Sequence, residues 1–209
     1  NKPPLLVTVI FKLLSFSFTK KDVSFDNLSE GEKLSNSLAS MGTTFIKLGQ
    51  FLATRPDIIG DGLSKELESL QDKLPPFSQS KAKEMIRNDL GDEIYNSIIN
   101  ISEPVAAASI AQVHKAQIDD NGVIKDVAIK ILRPDIKKIF NEEVDALMLF
   151  AFIIESLIKK TKRLKLVEVV FLLKEITSLE MDLRFEAAAA NEYAENTKND
   201  VGFEVPKIY

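Results

Sequence analysis

Cysteine is absent from the 209 residues, and histidine occurs once, as His114. Without thiols no disulfide and no thiolate metal site can form, which suits a reducing compartment. One imidazole excludes a multi-histidine metal centre and any Ser-His-Asp triad built away from His114. Basic charge is not in excess either. The formal net charge of −4 argues against nucleic acid as a partner. Long apolar runs are also missing, since a membrane-spanning helix needs roughly 20 such residues. Residues 146–158, "ALMLFAFIIESLI", are shorter and contain Glu155, so they read as a buried helix. The stretch "PPLLVTVIFKLLSFSF" follows Asn1 rather than Met, is interrupted by Lys12 and lacks a small-residue cleavage pattern. It reads as a packed or an interfacial helix. No G-x-G-x-x-G occurs: Gly60-Asp61-Gly62 lacks the third glycine and follows a helical pattern, so a flavin fingerprint is missing.

What is there is ordinary globular composition, 45% hydrophobic and 28% charged, enough for one large domain or two small ones. Ser29 and Glu32 fit a capping box. Behind them Leu34, Leu38, Met41, Phe45, Leu48 and Leu52 form one continuous apolar seam ending near Arg55-Pro56. Gly42 and Gly49 sit inside it on nearly one face, which predicts a close neighbour there. Ser64 is expected to cap a short helix carrying Leu67, Leu70 and Leu74, and residues 78–90 form another helix that stops at Gly91. Residues 105–118 are β-like, Asp119-Asp120-Asn121-Gly122 is a turn, and 123–132 is a strand. Two long helices are expected over 135–160 and 164–199, and "FEVPKIY" reads as a strand beginning. The fold class is therefore α+β with a small antiparallel sheet.

The chemistry concentrates in "EPVAAASIAQVHKA" and the "VAIK" that follows it. A strand, a small-residue loop, a second strand and a lysine on a third strand is how a protein kinase begins to hold ATP. The loop Ala106-Ala107-Ala108-Ser109 has alanine where kinases use glycine. Lys130 is the sharpest single signal, since an alternating strand points it to one side and its apolar neighbours to the other. Downstream, Asp182 and Glu186 are four apart and share a helical face, while Glu180 turns nearly opposite. Lys47 and Gln50 are neighbours on a helix, with Gly49 expected to make room beside them. His114 reads as a strand-surface residue. The basic run Lys159-Lys160-Thr161-Lys162-Arg163-Leu164-Lys165 reads as an exposed helix connection, with anionic lipid headgroups as the alternative partner.

Taken together, these residues resemble the AarF/UbiB family of atypical protein-kinase-like proteins, associated with ubiquinone biosynthesis. The resemblance rests on Lys47-Leu48-Gly49-Gln50, on Ala106-Ala107-Ala108-Ser109 with "IAQVHKA", on Lys130 with Arg133-Pro134, and on Glu180-Met181-Asp182 followed by Glu186-Ala187-Ala188. It implies a helical N-terminal extension over residues 1–100 and a kinase-like N-lobe over 101–209. Lys130 would be the ATP-phosphate lysine and Glu186 its partner. Val105, Ala106, Ala107, Ala108, Ser109, Ile110, Ala111, Gln112 and Val113 would form the loop over the nucleotide. Lys47, Gly49 and Gln50, with Glu180 and Asp182, would belong to a lid in which Lys47 pairs with Glu180. Alanine resists the positive φ that glycine adopts freely, so this loop should be stiffer. The cofactor implied is ATP, with Mg²⁺ in the complete protein.

A catalytic-loop aspartate and an Asp-Phe-Gly metal motif are both missing. With the non-Met start, this predicts a fragment without the C-lobe that is inactive in phosphoryl transfer alone. The implied partners are a membrane lipid or quinone precursor and other ubiquinone-biosynthesis proteins. The implied location is cytoplasmic, peripheral to the inner membrane. The alternative is a non-enzymatic lipid- or partner-binding stub. The polyprenylphenol hydroxylase label that such proteins sometimes carry finds no flavin motif here.

Overall fold

The computed structural model describes residues 28–209 apart from 69 and 71–73, so the apolar stretch 3–18 lies outside the described residues. The Ser29 hydroxyl accepts from the Glu32 N–H at 3.1 Å, and the Glu32 carboxylate accepts from the Ser29 N–H at 2.8 Å. This is the reciprocal capping box the spacing predicts. The helix it opens, α1 (Glu30–Met41), does not continue through the seam. Gly42 adopts φ 105° and ψ −170°, a region open chiefly to glycine, and the chain restarts as α2 (Thr43–Ala53). Leu34 and Leu38 still share one core with Ile46 and Leu52, so the seam survives the break. The close neighbour expected of this face exists only at Gly49. A Cβ there would lie 2.9 Å from Leu38 Cδ1 and 3.0 Å from Leu70 Cδ1.

Two short helices follow, α3 (Pro56–Ile59) and α4 (Asp61–Leu67). Ser64 lies inside α4 instead of capping it, and its hydroxyl donates to the Ala53 carbonyl. α5 (Gln79–Asn96) begins at the Ser78 cap; Gly91, at φ 80°, redirects the helix where an end was expected. The antiparallel sheet consists of β1 (Ile98–Ala107), β2 (Ala111–Asp120) and β3 (Val123–Leu132), in that order. β1 begins well before residue 105. Its first half alternates poorly, and its register shifts near Asn100, Pro104 and Ala106, as an edge strand with a proline allows. Asn121 and Gly122 have φ of 56° and 85°, the two positive values of a tight hairpin turn. Gly122→Ala is expected to destabilise the protein by about 1 kcal/mol, read as a urea midpoint; an unchanged midpoint would mean the turn relaxes.

After the sheet come α6 (Ile136–Leu157), a 3₁₀ helix (Lys159–Leu164), α7 (Leu166–Glu180) and α8 (Leu183–Thr197). The helix expected over 164–199 is therefore two. Asp182 has extended backbone and accepts from the Arg184 N–H at 3.1 Å, capping α8. Residues 203–209 form no strand; Lys207 approaches Asp120 to 3.9 Å beside the β2–β3 turn. One core joins α1–α4 to α6 and α7 through Phe140, Val144, Leu166 and Val170, and it also takes in Ile110 and Ala111. A second packs Ala82 and Ile86 of α5 on Ile101, Ala116 and Ile131 of the sheet.

The run 146–158 is not buried. Ala151 is, but Leu149, Phe150, Phe152, Ile153 and Leu157 are exposed, Leu157 by 78%. Length told against a membrane span but carried no information on which side of α6 finds neighbours. Its contacts lie chiefly with α7, the 3₁₀ helix and α2, so an apolar stripe faces outward.

Candidate functional site

Along β3 the buried or half-buried Val127, Ile129 and Ile131 join the α5 core, while exposed Ala128 and Lys130 alternate to the opposite face. Lys130 pairs with Val113, and Val113 pairs with Ala106. Directly opposed residues share a face, so a row of small side chains leads across the sheet to the lysine. From α8, Glu186 Oε2 accepts from Lys130 Nζ at 2.6 Å. The side chains are 40% and 59% exposed. Such a pair contributes about 0–1 kcal/mol to stability. It orients an ammonium group that is still open to a ligand.

A second pair lies at the other end of the α7–α8 corner. Lys47 Nζ is 2.8 Å from Glu180 Oε2, and the lysine is only 13% exposed. It fastens α2 to the end of α7. Glu180 and Glu186 serve different lysines because the helix breaks between them. Asp182 consequently shares no helical face with Glu186. The Arg184 guanidinium hydrogen-bonds its carboxylate and holds its pKa down to about 2, with the Arg184 backbone N–H and Lys137 assisting. Asp182 therefore stays ionised throughout the neutral range. Gln50 is half-buried on α2. Gly49 is buried against Leu38 and Leu70 and makes no room beside Lys47.

Between β1 and β2 the chain makes one turn, closed by Ala108 N–H donating to Ala111 O at 2.8 Å. Val105 and Ala106 are exposed, and Ala107, Ala108 and Val113 half-buried. Ser109, Ile110, Ala111 and Gln112 are buried, so the open surface of the loop is that of residues 105–108. Among the described residues the non-glycine positions with positive φ are Asn121, Asp135 and Lys165. The alanine loop thus runs through ordinary backbone conformations and has no need of glycine.

A sequence profile of the ABC1 atypical kinase-like domain matches residues 69–209. The chain belongs to this family, that of UbiB and AarF. Among curated relatives, the probable protein kinase UbiB of Marinobacter nauticus is 36% identical over 87% of the chain and 33% of its own length. The probable protein kinase UbiB of Tolumonas auensis is 36% identical over the same shares. That of Shewanella baltica is 34% identical over 99% of the chain and 38% of its own length. The chain spans about a third of the length of these relatives. Its mixed architecture, three antiparallel strands with flanking helices, is that of a kinase-like N-lobe.

In this UbiB-family chain His114 is no surface residue: its exposure is 0%. Nδ1 lies 2.7 Å from the Ser102 carbonyl, which can only accept, so Nδ1 carries the proton. Nε2 then accepts from Gln112 Nε2–H at 2.8 Å. Gln112 also accepts from the Phe77 N–H at 3.0 Å and donates to the Phe77 carbonyl at 3.2 Å. The two side chains tie β2 to β1 and to the strap before α5. Gln112, His114 and Ala116 recur at every second position, the spacing of a buried strand face, but the polar identities of the first two conceal it. Two other residues that sequence reasoning left without a role are Thr43 and Arg133, which bond to the loop. No helix among the described residues is long and apolar enough to cross a membrane.

Proposed function

We propose that this chain is the ATP-gripping portion of a UbiB-type atypical kinase or ATPase that supports ubiquinone biosynthesis. The observation that carries this reading is the Lys130–Glu186 pair at 2.6 Å beside a floor of small residues. In that role the lysine ammonium holds the α- and β-phosphates, Glu186 keeps it aimed, and the backbone of 105–113 covers the nucleotide. The Lys130 ammonium, 40% exposed at the side chain, is a donor suited to phosphate oxygens. Among the described residues no three His, Asp or Glu side chains gather to hold a metal ion; in this proposal Mg²⁺ is held by the nucleotide and by groups outside the described residues. ATP would supply the phosphoryl group for transfer or hydrolysis. The Lys47–Glu180 pair would keep the N-terminal helices closed over the corner. Calorimetric titration of the protein with Mg-ATP tests the reading. Binding that is absent, or that survives Lys130→Ala unchanged, would sink it.

The same proposal places the protein peripherally on the cytoplasmic side of the inner membrane, with a lipid or quinone precursor and other ubiquinone-biosynthesis proteins as partners. Its support is a surface. α6 exposes Phe150, Phe152 and Leu157, α7 exposes Phe171 and Leu179, and the 3₁₀ connection between them exposes Lys159, Lys160, Lys162 and Arg163. Apolar side chains beside clustered cations suit an anionic bilayer, each cation near the surface contributing about 1 kcal/mol. The triple variant Phe150→Ser, Phe152→Ser and Phe171→Ser should float several-fold less with vesicles containing anionic phospholipid, and added salt should weaken the wild type. Equal flotation of the two proteins would argue for a protein partner or none.

A further inference from the structure

We propose that Thr43 and Arg133 are positioning residues that clasp the loop between β1 and β2 and hold it in one shape for a ligand. The inference rests on the nucleotide reading of Lys130 and adds to it how the loop is shaped. Three successive carbonyls of the loop are taken by donors from outside it. Ala108 O accepts from Arg133 Nε at 2.9 Å, Ser109 O from Thr43 Oγ1 at 3.0 Å, and Ile110 O from the Arg133 N–H at 2.8 Å. The remaining arms of the guanidinium reach the Pro75 carbonyl at 3.0 Å and the Leu74 carbonyl at 3.3 Å. One planar fork therefore joins the loop, the end of β3 and the strap before α5.

A trans peptide is planar, so holding a carbonyl also fixes the direction of the N–H that follows it. With the carbonyls of Ala108, Ser109 and Ile110 held, the three peptide planes from Ala108 to Ala111 are fixed before any ligand arrives, and with them the path of the loop that carries exposed Val105 and Ala106. A glycine loop reaches a phosphate through its freedom of φ. This alanine loop lacks that freedom and has its shape imposed from both sides. A preset loop spares a ligand the cost of ordering it.

The clasp is also joined to the lid. Thr43 lies one helical turn before Lys47 on α2. A single helix thus holds the loop through one residue and the α7–α8 corner through the next, by the Lys47–Glu180 pair. Any displacement of α2 would loosen both contacts together.

The decisive variant is Thr43→Val, which keeps the shape and removes the hydroxyl, with Thr43→Ser as its rescue. Arg133→Met is the stronger companion, because it also frees the Leu74 and Pro75 carbonyls. In nucleotide-free protein, Thr43→Val should speed hydrogen exchange at the amides of Ser109, Ile110 and Ala111 by roughly tenfold, and leave the centre of β2 unchanged. Dissociation of a fluorescent ADP analogue should quicken by roughly tenfold, and Thr43→Ser should restore both values. Unchanged loop exchange in Thr43→Val overturns the clasp. Faster exchange with unaltered nucleotide kinetics, in a protein whose binding is lost with Lys130→Ala, overturns the positioning role. If the wild type binds no nucleotide, the reading of Lys130 fails and the positioning role goes with it; the exchange arm then separates the two failures.

Discussion

Lys130→Ala should weaken nucleotide binding at least about a hundredfold, because it removes charge-assisted hydrogen bonds contributing roughly 1.5–3 kcal/mol each. Glu186→Gln should cost less, about tenfold, since the amide can still accept from the ammonium but no longer attracts it as a carboxylate does. Neither change should move the unfolding midpoint much. Both side chains are substantially exposed, and exposed pairs contribute about 0–1 kcal/mol. The exchanged double variant, Lys130→Glu with Glu186→Lys, separates two roles. It can rebuild an ion pair between β3 and α8 but leaves a carboxylate on the strand facing the phosphates. A wild-type unfolding midpoint with binding still lost is the result expected of a phosphate-gripping lysine. Restored binding would show that the pair acts only as a strut between the two elements.

How much of this site is legible in the sequence depends on which interactions are local. The β2–β3 hairpin is legible because Asn121-Gly122 specifies a tight turn and the residues of β3 alternate cleanly behind it, which puts Lys130 on a known face. The capping box at Ser29 is legible because both partners lie within one helical turn. Helix breaks are less legible. At Gly42 the apolar spacing continues across the break, since both helices feed one core. At Asp182 the sequence keeps a helical composition, and only a side chain capping the next helix reveals the interruption. The exposed stripe on α6 was hidden for another reason. Hydrophobicity marks a surface that can be covered and does not say by what. The clasp lies furthest from local reading, because Thr43 meets Ser109 across 66 positions and Arg133 meets Ala108 across 25.

Gln112→Leu should be among the most destabilising substitutions in the protein, at roughly 3–5 kcal/mol, with a fall in Tm on the order of 10 °C. Gln112 is 1% exposed and makes three hydrogen bonds: from the Phe77 N–H, to the Phe77 carbonyl and to His114 Nε2. Leucine fits the space but leaves these partners facing hydrocarbon, and an unmet buried polar group costs about 1–3 kcal/mol. His114→Phe should likewise strand the Ser102 carbonyl and one hydrogen of the Gln112 amide. Because the two residues share a bond, the double variant should lose less than the sum of the single losses, by about 0.5–3 kcal/mol. Urea unfolding of the four proteins gives that coupling directly. A sum that simply adds would mean that Gln112 and His114 act independently, each through its own backbone partner. A coupled loss would establish one buried chain, from the strap at Phe77 through β2 to Ser102 on β1. That chain passes through Gln112, next to Ala111 where the β1–β2 loop rejoins the sheet, so the loop's inner end is fixed by the core while its outer carbonyls are held by Thr43 and Arg133.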